Sequence, residues 1–165
     1  MKIAGFYENS CTNGDGWRSV LFVSGCPHHC LGCHNQQTWD YEFGEEVDNI
    51  DNIVSNILKN KKLIDGLTIS GGEPFQYRNI EPLIYIIDKI RKEGLNIWCY
   101  SGYTFEFLKE DKEFSKLLNK IDILVDGPFI KSLFSPNIKF RGSTNQRIID
   151  VKKSFNNNEI CEVEY

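Results

Sequence analysis

Segments with strand-like composition alternate with amphipathic helical segments through most of the chain. The predicted strands are rich in β-branched and aromatic residues, and they cover residues 17–24, 66–70, 95–100 and 121–125. Three predicted helices lie between them and carry apolar residues at helical spacing. The first begins near Ile50, the second has an apolar face from Ile80 to Ile90, and the third covers 104–119. Two further strands are predicted near 138–141 and 147–151. This alternation predicts an α/β fold with a mostly parallel sheet.

The length of the chain limits how far such a sheet can close. The chain has 165 residues, whereas a closed eight-stranded (β/α) barrel needs at least about 200. We therefore expect a single domain over residues 1–165, with a core of about 3–150 and a C-terminal tail of 151–165. Its architecture should be an open, partial (β/α) barrel.

Charge and hydropathy argue against two classes of partner. The chain has 19 Lys and Arg against 23 Asp and Glu, a net charge of −4 without any basic block, which disfavours binding to nucleic acid. The longest apolar stretches, 20–23 and 83–87, are far shorter than a membrane span. The N-terminus also lacks the apolar run of a secretory signal. We therefore expect a cytoplasmic protein with no membrane partner.

Three of the six cysteines lie within eight residues at C-x3-C-x2-C spacing: Cys26, Cys30 and Cys33. In a reducing compartment, clustered thiols more often bind metal or do chemistry than form disulfides. Thiolates select zinc or iron–sulfur clusters. Zinc would take its fourth ligand from a neighbouring histidine, namely His28, His29 or His34. A 4Fe-4S cluster would use the three thiolates and leave one iron open. Zinc-ribbon sites usually use two separated ligand pairs, and no second C-x2-C pair occurs in this chain. The spacing therefore favours an iron–sulfur cluster, with zinc or free structural thiols as the alternatives.

Each predicted parallel strand ends in a loop that combines glycine with a polar or ionisable residue. These loops are Gly25-Cys26, Gly71-Gly72-Glu73-Pro74, Ser101-Gly102-Tyr103 and Asp126-Gly127-Pro128. Ligands bind outside the carboxyl ends of the strands in parallel α/β sheets, so we expect the four loops to form one site. In the second loop the two glycines allow close approach of a ligand to the backbone, and Glu73 offers an acceptor for a cationic amine.

The cysteine motif followed by Gly71-Gly72-Glu73-Pro74 resembles the signature of radical S-adenosylmethionine (SAM) enzymes. Within that superfamily the chain is similar to the activating proteins of anaerobic (class III) ribonucleoside-triphosphate reductases. The similarity runs from about residue 3 to residue 150, and these segments carry it: 13–18, 21–26, 30–35, 98–103, 125–127 and 141–146. Two positions depart from the usual patterns, since Gly32 replaces an aromatic residue of many radical enzymes and Asp15 replaces a frequent proline.

The resemblance implies an open partial barrel of the radical SAM type that holds one 4Fe-4S cluster and SAM. Three irons would be bound by Cys26, Cys30 and Cys33, and SAM would chelate the fourth through its amino and carboxylate groups. Gly71, Gly72 and Glu73 would hold the amino group of SAM, which would donate a charge-assisted hydrogen bond to the Glu73 carboxylate.

The resemblance also implies further contacts to SAM. The backbone of Gly32, Cys33 and His34 would lie along the adenine. Ser101 and Asp126, at the ends of later strands, would contact the ribose or the methionine carboxylate. No catalytic side chain is implied beyond the cluster and SAM.

The implied reaction is reductive cleavage of SAM. One electron from the cluster would give methionine and a 5′-deoxyadenosyl radical, which would take a Cα hydrogen from a glycine of the large reductase subunit. The protein would be an oxidoreductase whose partners are that subunit and an electron donor such as flavodoxin or ferredoxin. The broad side entrance of a partial barrel suits such a macromolecular substrate. Two alternatives remain: an activase of another glycyl-radical enzyme of the pyruvate formate-lyase type, or a non-catalytic zinc-binding interaction module.

Overall fold

Seven strands form one open sheet in the computed structural model, which describes all 165 residues. In chain order they are β1 (Lys2–Ser10), β2 (Arg18–Val23), β3 (Glu45–Glu46), β4 (Gly66–Gly71), β5 (Asn96–Tyr100), β6 (Ile123–Asp126) and β7 (Arg147–Asp150). Their order across the sheet is β3-β1-β2-β4-β5-β6-β7. The four strands β2, β4, β5 and β6 are parallel, whereas β1, β3 and β7 pair antiparallel with their neighbours. The predicted α/β class and the parallel centre are confirmed, with antiparallel strands at both edges.

Five helices complete the fold. They are α1 (Ile50–Lys59), α2 (Tyr77–Arg91), α3 (Phe105–Glu110), α4 (Lys112–Leu118) and α5 (Val151–Asn157). The apolar face predicted for the second helix is buried, because Ile80, Leu83, Ile87 and Ile90 pack against the sheet. Just after α2, Gly94 has a left-handed φ of +81°, as expected for a glycine that ends a helix. None of the five helices is both long and apolar enough to cross a lipid bilayer.

The two faces of the sheet are built differently. Successive residues of a strand point to opposite faces, so Ile97 and Cys99 of β5 join a core of 26 buried residues that includes the helices. Trp98, between them, belongs to a separate cluster with two other buried residues. On this second face the fully buried Arg18 donates a hydrogen bond to Thr68 Oγ1 at 2.7 Å. The helices therefore fill one face of the sheet and leave the other free to form a site.

Some local structure differs from the predictions. The helix predicted over 104–119 is interrupted at Asp111, whose backbone is extended and whose carboxylate caps α4 through the Glu113 and Phe114 amides. The strand predicted near 138–141 is wrong, because Phe140 has a left-handed φ of +58° that ends any extended run. The strand predicted near 147–151 is confirmed as β7. The sequence patterns did not predict β1, β3 or α5.

Candidate functional site

One cavity of about 430 Å³ lies at the carboxyl ends of the four parallel strands. Every strand-end loop contributes to its lining, through Cys26, Gly71 to Glu73, Ser101 with Gly102, and Gly127. Cys30 and Cys33 line the same cavity. The structure thus brings the cysteine motif and the Gly-Gly-Glu-Pro loop together, as expected from their positions after parallel strands.

The three cysteines of the motif are partly buried free thiols in the loop that follows β2. The Cys33 amide donates to the Cys30 carbonyl at 3.0 Å and folds this loop into a turn. Burial raises the pKa of Cys26 to about 11 and also raises the pKa of Cys30. Metal ligation requires thiolates, so binding must release protons from these thiols. Outside the cavity lie the other three cysteines, Cys11, Cys99 and Cys161.

The three histidines of the cysteine loop make contacts with other groups. Nε2 of His28 lies 2.7 Å from Oε2 of Glu73. The His29 ring stacks on Trp39 with 4.9 Å between ring centroids, and the His34 ring packs against Phe129 at 5.6 Å. No three His, Cys, Asp or Glu side chains lie close enough together to hold a single metal ion. Only His28 therefore has a ring nitrogen in a hydrogen bond, whereas His29 and His34 make contacts through their ring faces and edges.

Glu73 is fully buried, and four groups surround its carboxylate. Oε1 accepts hydrogen bonds from the Phe75 amide at 3.0 Å and from Ser101 Oγ at 2.9 Å. Oε2 accepts one from the Gly102 amide at 2.9 Å and contacts His28 Nε2. A carboxylate has about four acceptor positions, and here all are used. Glu73 therefore ties the cysteine loop to the ends of β4 and β5 and has no free position for an amine.

The structure brings Ser101 to the cavity but not Asp126. The Asp126 carboxylate is buried, and it accepts hydrogen bonds from Arg147 Nε at 2.9 Å and from the Phe105 amide at 2.8 Å. Its neighbour Gly127 lines the cavity instead. Because both carboxylate oxygens of Asp126 are held by these donors, the side chain fixes the end of β6.

Of the three residues predicted to lie along the adenine of SAM, only two line the cavity. Cys33 and His34 line the cavity, whereas Gly32 does not. Gly32 has a left-handed φ of +77° and lies beside Lys131, where an added Cβ would be 3.1 Å from Lys131 Cδ. The left-handed backbone favours glycine over any residue with a side chain at position 32, and the Lys131 side chain packs beside it.

Part of the cavity wall was not predicted. Gln146 Oε1 accepts hydrogen bonds from the Gly142 and Ser143 amides at 2.8 and 3.2 Å, and its Nε2 donates to the Gly127 carbonyl at 3.0 Å. This turn places Arg141 on the wall. The sequence signal for this wall is the Arg141–Gln146 segment, where Arg141 is a candidate for a loop-anchoring salt bridge or a contact to the partner. The structure shows no salt bridge of Arg141, and the contact from Gln146 to Gly127 spans 19 residues, which residue spacing does not reveal.

Comparisons with known proteins agree with this geometry. Residues 12–149 match the protein family described as a 4Fe-4S single cluster domain. The anaerobic ribonucleoside-triphosphate reductase-activating protein of Haemophilus influenzae is 38% identical over 152 residues, which cover 90% of this chain and 97% of the relative. The proteins of the same name from Escherichia coli K12 and phage T4 are 34% and 35% identical, over 88% and 90% of this chain and 96% and 93% of theirs. The chain belongs to the family of anaerobic ribonucleoside-triphosphate reductase-activating proteins.

Proposed function

We propose that the chain activates an anaerobic ribonucleoside-triphosphate reductase by radical SAM chemistry, with its open sheet serving as a partial radical SAM barrel. The observation that carries this proposal is the single cavity in which three free thiols meet the loops of four parallel strands. When bound, a reduced 4Fe-4S cluster would supply one electron to cleave SAM into methionine and a 5′-deoxyadenosyl radical, which would take a glycine Cα hydrogen and leave a glycyl radical on the reductase.

Cys26, Cys30 and Cys33 would hold the cluster in this proposal. The donor set fits the group, because thiolates are the usual ligands of iron–sulfur clusters and all three thiols line one cavity without a disulfide. The match of residues 12–149 to a single-cluster 4Fe-4S family supports iron over zinc. The protein contributes the three ligands and a turn that holds them together, while the redox chemistry belongs to the cofactor.

The Gly71-Gly72-Glu73-Pro74 loop would hold the amino group of SAM through its backbone. Glu73 has no free acceptor position, whereas the Gly72 carbonyl accepts no hydrogen bond within the chain. An added Cβ at Gly72 would lie 2.3 Å from the Gly25 carbonyl oxygen, so only glycine fits between this loop and the start of the cysteine loop. We assign amine binding to the Gly72 carbonyl, with Glu73 as the buried support beneath it. Cys33 and His34 would lie along the adenine, and Ser101 would hold Glu73 in place.

The proposed substrate is the large, glycine-bearing subunit of the reductase, and the electron donor would be a flavodoxin or a ferredoxin. The names of the relatives support the reductase as the target over other glycyl-radical enzymes. Thiols and a low-potential cluster persist in the reducing cytoplasm, so we place the reaction there.

An anaerobic assay tests the proposal. Protein reconstituted with iron and sulfide should form 5′-deoxyadenosine from SAM when dithionite supplies electrons, and a reductase subunit added to the mixture should gain the electron paramagnetic resonance doublet of a glycyl radical. Cys30→Ala should abolish both signals because it removes a cluster ligand. Cys161→Ala removes a thiol outside the cavity and should retain both. Wild-type protein that carries the cluster yet forms no 5′-deoxyadenosine with the reductase present would refute the proposal.

A further inference from the structure

The cavity extends beyond the cysteine loop to a second wall that includes Asn13, Tyr100, Phe140 and Arg141. Arg141 is the only lysine or arginine among the lining residues, and Glu73 is the only aspartate or glutamate. Because four donors already surround Glu73, no carboxylate of the cavity is available to neutralise the guanidinium.

The Arg141 guanidinium is positioned but unpaired. Nη1 donates to the Gln146 carbonyl at 2.8 Å, which fixes the side chain. Nε is buried and has no hydrogen-bond partner, and Arg141 takes part in none of the ion pairs of the chain. Arg147, six residues on, is by contrast paired with both Glu106 and Asp126. Because no acidic side chain pairs with this guanidinium on the cavity wall, its remaining Nη1 and Nη2 donors can bind an anionic ligand there.

The chemistry of a guanidinium limits which anion this is. Arginine presents a planar fork of donors that suits a carboxylate or a phosphate. On the proposed function, the ligand of this cavity is SAM, and the methionine carboxylate is its only anionic group. A carboxylate has two oxygens with several lone pairs, so it can accept hydrogen bonds from a guanidinium while it also binds a metal.

We infer that Arg141 binds the methionine carboxylate of SAM and so fixes the methionine end of the ligand in the cavity. This inference rests on the proposed function. Arg141 acts here as a binding residue, and the Gln146 turn holds it in position through contacts to Gly127, Gly142 and Ser143.

The test compares two ligands that differ by the carboxylate alone. SAM and decarboxylated SAM would be titrated into cluster-loaded protein under anaerobic conditions, with equilibrium dialysis giving the dissociation constants. We expect Arg141→Gln to weaken SAM binding by about tenfold to a hundredfold, the range of a charge-assisted hydrogen bond. Decarboxylated SAM should bind wild type and variant alike, and Arg141→Lys should recover part of the loss because it restores the charge.

The matched control is Arg91→Gln. Arg91 also donates to a backbone carbonyl, that of Lys120, but lies outside the cavity, so the variant should bind both ligands as wild type does. Equal weakening of both ligands by Arg141→Gln would show a structural role and overturn the inference. Unchanged SAM binding by Arg141→Gln would also overturn the inference. If glycyl-radical formation were lost at the same time, Arg141 would instead bind a carboxylate of the reductase. Wild-type protein that carries the cluster but binds no SAM would refute the proposed function itself.

Discussion

Glu73 shows how one buried carboxylate can hold several functional segments in place. Its oxygens accept hydrogen bonds from the Phe75 amide in its own loop and from the Ser101 hydroxyl and Gly102 amide at the end of β5. They also contact His28 Nε2 in the cysteine loop. Without the carboxylate, the buried Phe75 amide and Ser101 hydroxyl would lie unpaired, and an unpaired buried donor costs about 1–3 kcal/mol. The residue therefore acts as the common support of the strand-end loops, and the backbone around it is left to meet the ligand.

Replacement of Glu73 by glutamine tests this support role. The amide nitrogen of glutamine cannot accept a hydrogen bond, so at least one of the four donors loses its partner. We expect Glu73→Gln to lower the free energy of unfolding of the metal-free protein by about 1–3 kcal/mol, measured by urea denaturation. Glu93→Gln, which removes only a surface ion pair with Lys61, should change it by less than about 0.5 kcal/mol. Similar small losses in both variants would contradict the role.

Among the elements, β7 pairs with β6 in the sheet and is held further by the ion pairs of Arg147. Its guanidinium binds Asp126 at the end of β6 and Glu106 on α3. Hydrogen bonds from Arg147 lower the pKa of Glu106 from 4.5 to about 2. A carboxylate whose pKa is lower in the folded state adds stability above its unfolded pKa, and this stability is lost as the pH falls towards the folded value.

We therefore expect the melting temperature of the wild type to fall more steeply than that of Glu106→Gln as the pH decreases from about 4.5 to about 2. Glu106 is about half exposed, so added salt should reduce the difference between the two proteins. Glu110→Gln changes an exposed residue of the same helix and should follow the wild-type pH profile. Parallel profiles for wild type and Glu106→Gln would show that the pair adds nothing.

The elements differ in how far their sequences predict them. The apolar faces of α1 and α2 and the runs of β2, β4 and β5 bury continuous apolar surface, so their spacing alone located them. The half-exposed strand β1 has no such run and depends on antiparallel pairing with β2, a contact that spacing does not reveal. The polar helix α5 begins at its Asp150 cap and was likewise missed.

In the candidate site as well, features formed by adjacent residues could be predicted from the sequence, whereas contacts between distant residues could not. The cysteine motif and the Gly-Gly-Glu-Pro loop were found because their chemistry lies in adjacent residues at the ends of predictable strands. The saturation of Glu73 and the engagement of Asp126 by Arg147 depend on contacts between residues 21 to 45 positions apart. Arg141 needs the Gln146 turn to reach the cavity wall. Residue types therefore predicted which loops meet, and tertiary contacts decided which side chains remain free to bind.

At the scale of the molecule, the two faces of the sheet differ in how many buried apolar residues pack against them. The helical face packs 26 buried apolar residues. The opposite face has a cluster of three, and beside it lies the cavity formed by the cysteine loop and the 128–142 segment. Local opening requires less free energy where few apolar contacts are broken. A ligand that binds only the folded cavity should therefore stabilise this face in particular, because binding to the native state alone adds to its stability.

Removal of iron should reveal this difference between the faces. We expect amides of residues 26–46 and 128–142 to exchange hydrogen faster after the cluster is stripped with a chelator, because the three thiols then no longer join the cysteine loop into one unit. Amides of β4 and β5 should keep their protection, since the helix-packed core holds them without metal. Hydrogen exchange of loaded and stripped protein, followed by mass spectrometry, measures both regions in one experiment, with loaded Cys161→Ala as the control for loss of a thiol outside the cavity. An equal loss of protection in β4 and β5 would mean that the cluster supports the whole sheet, and the two faces would then unfold as one cooperative unit.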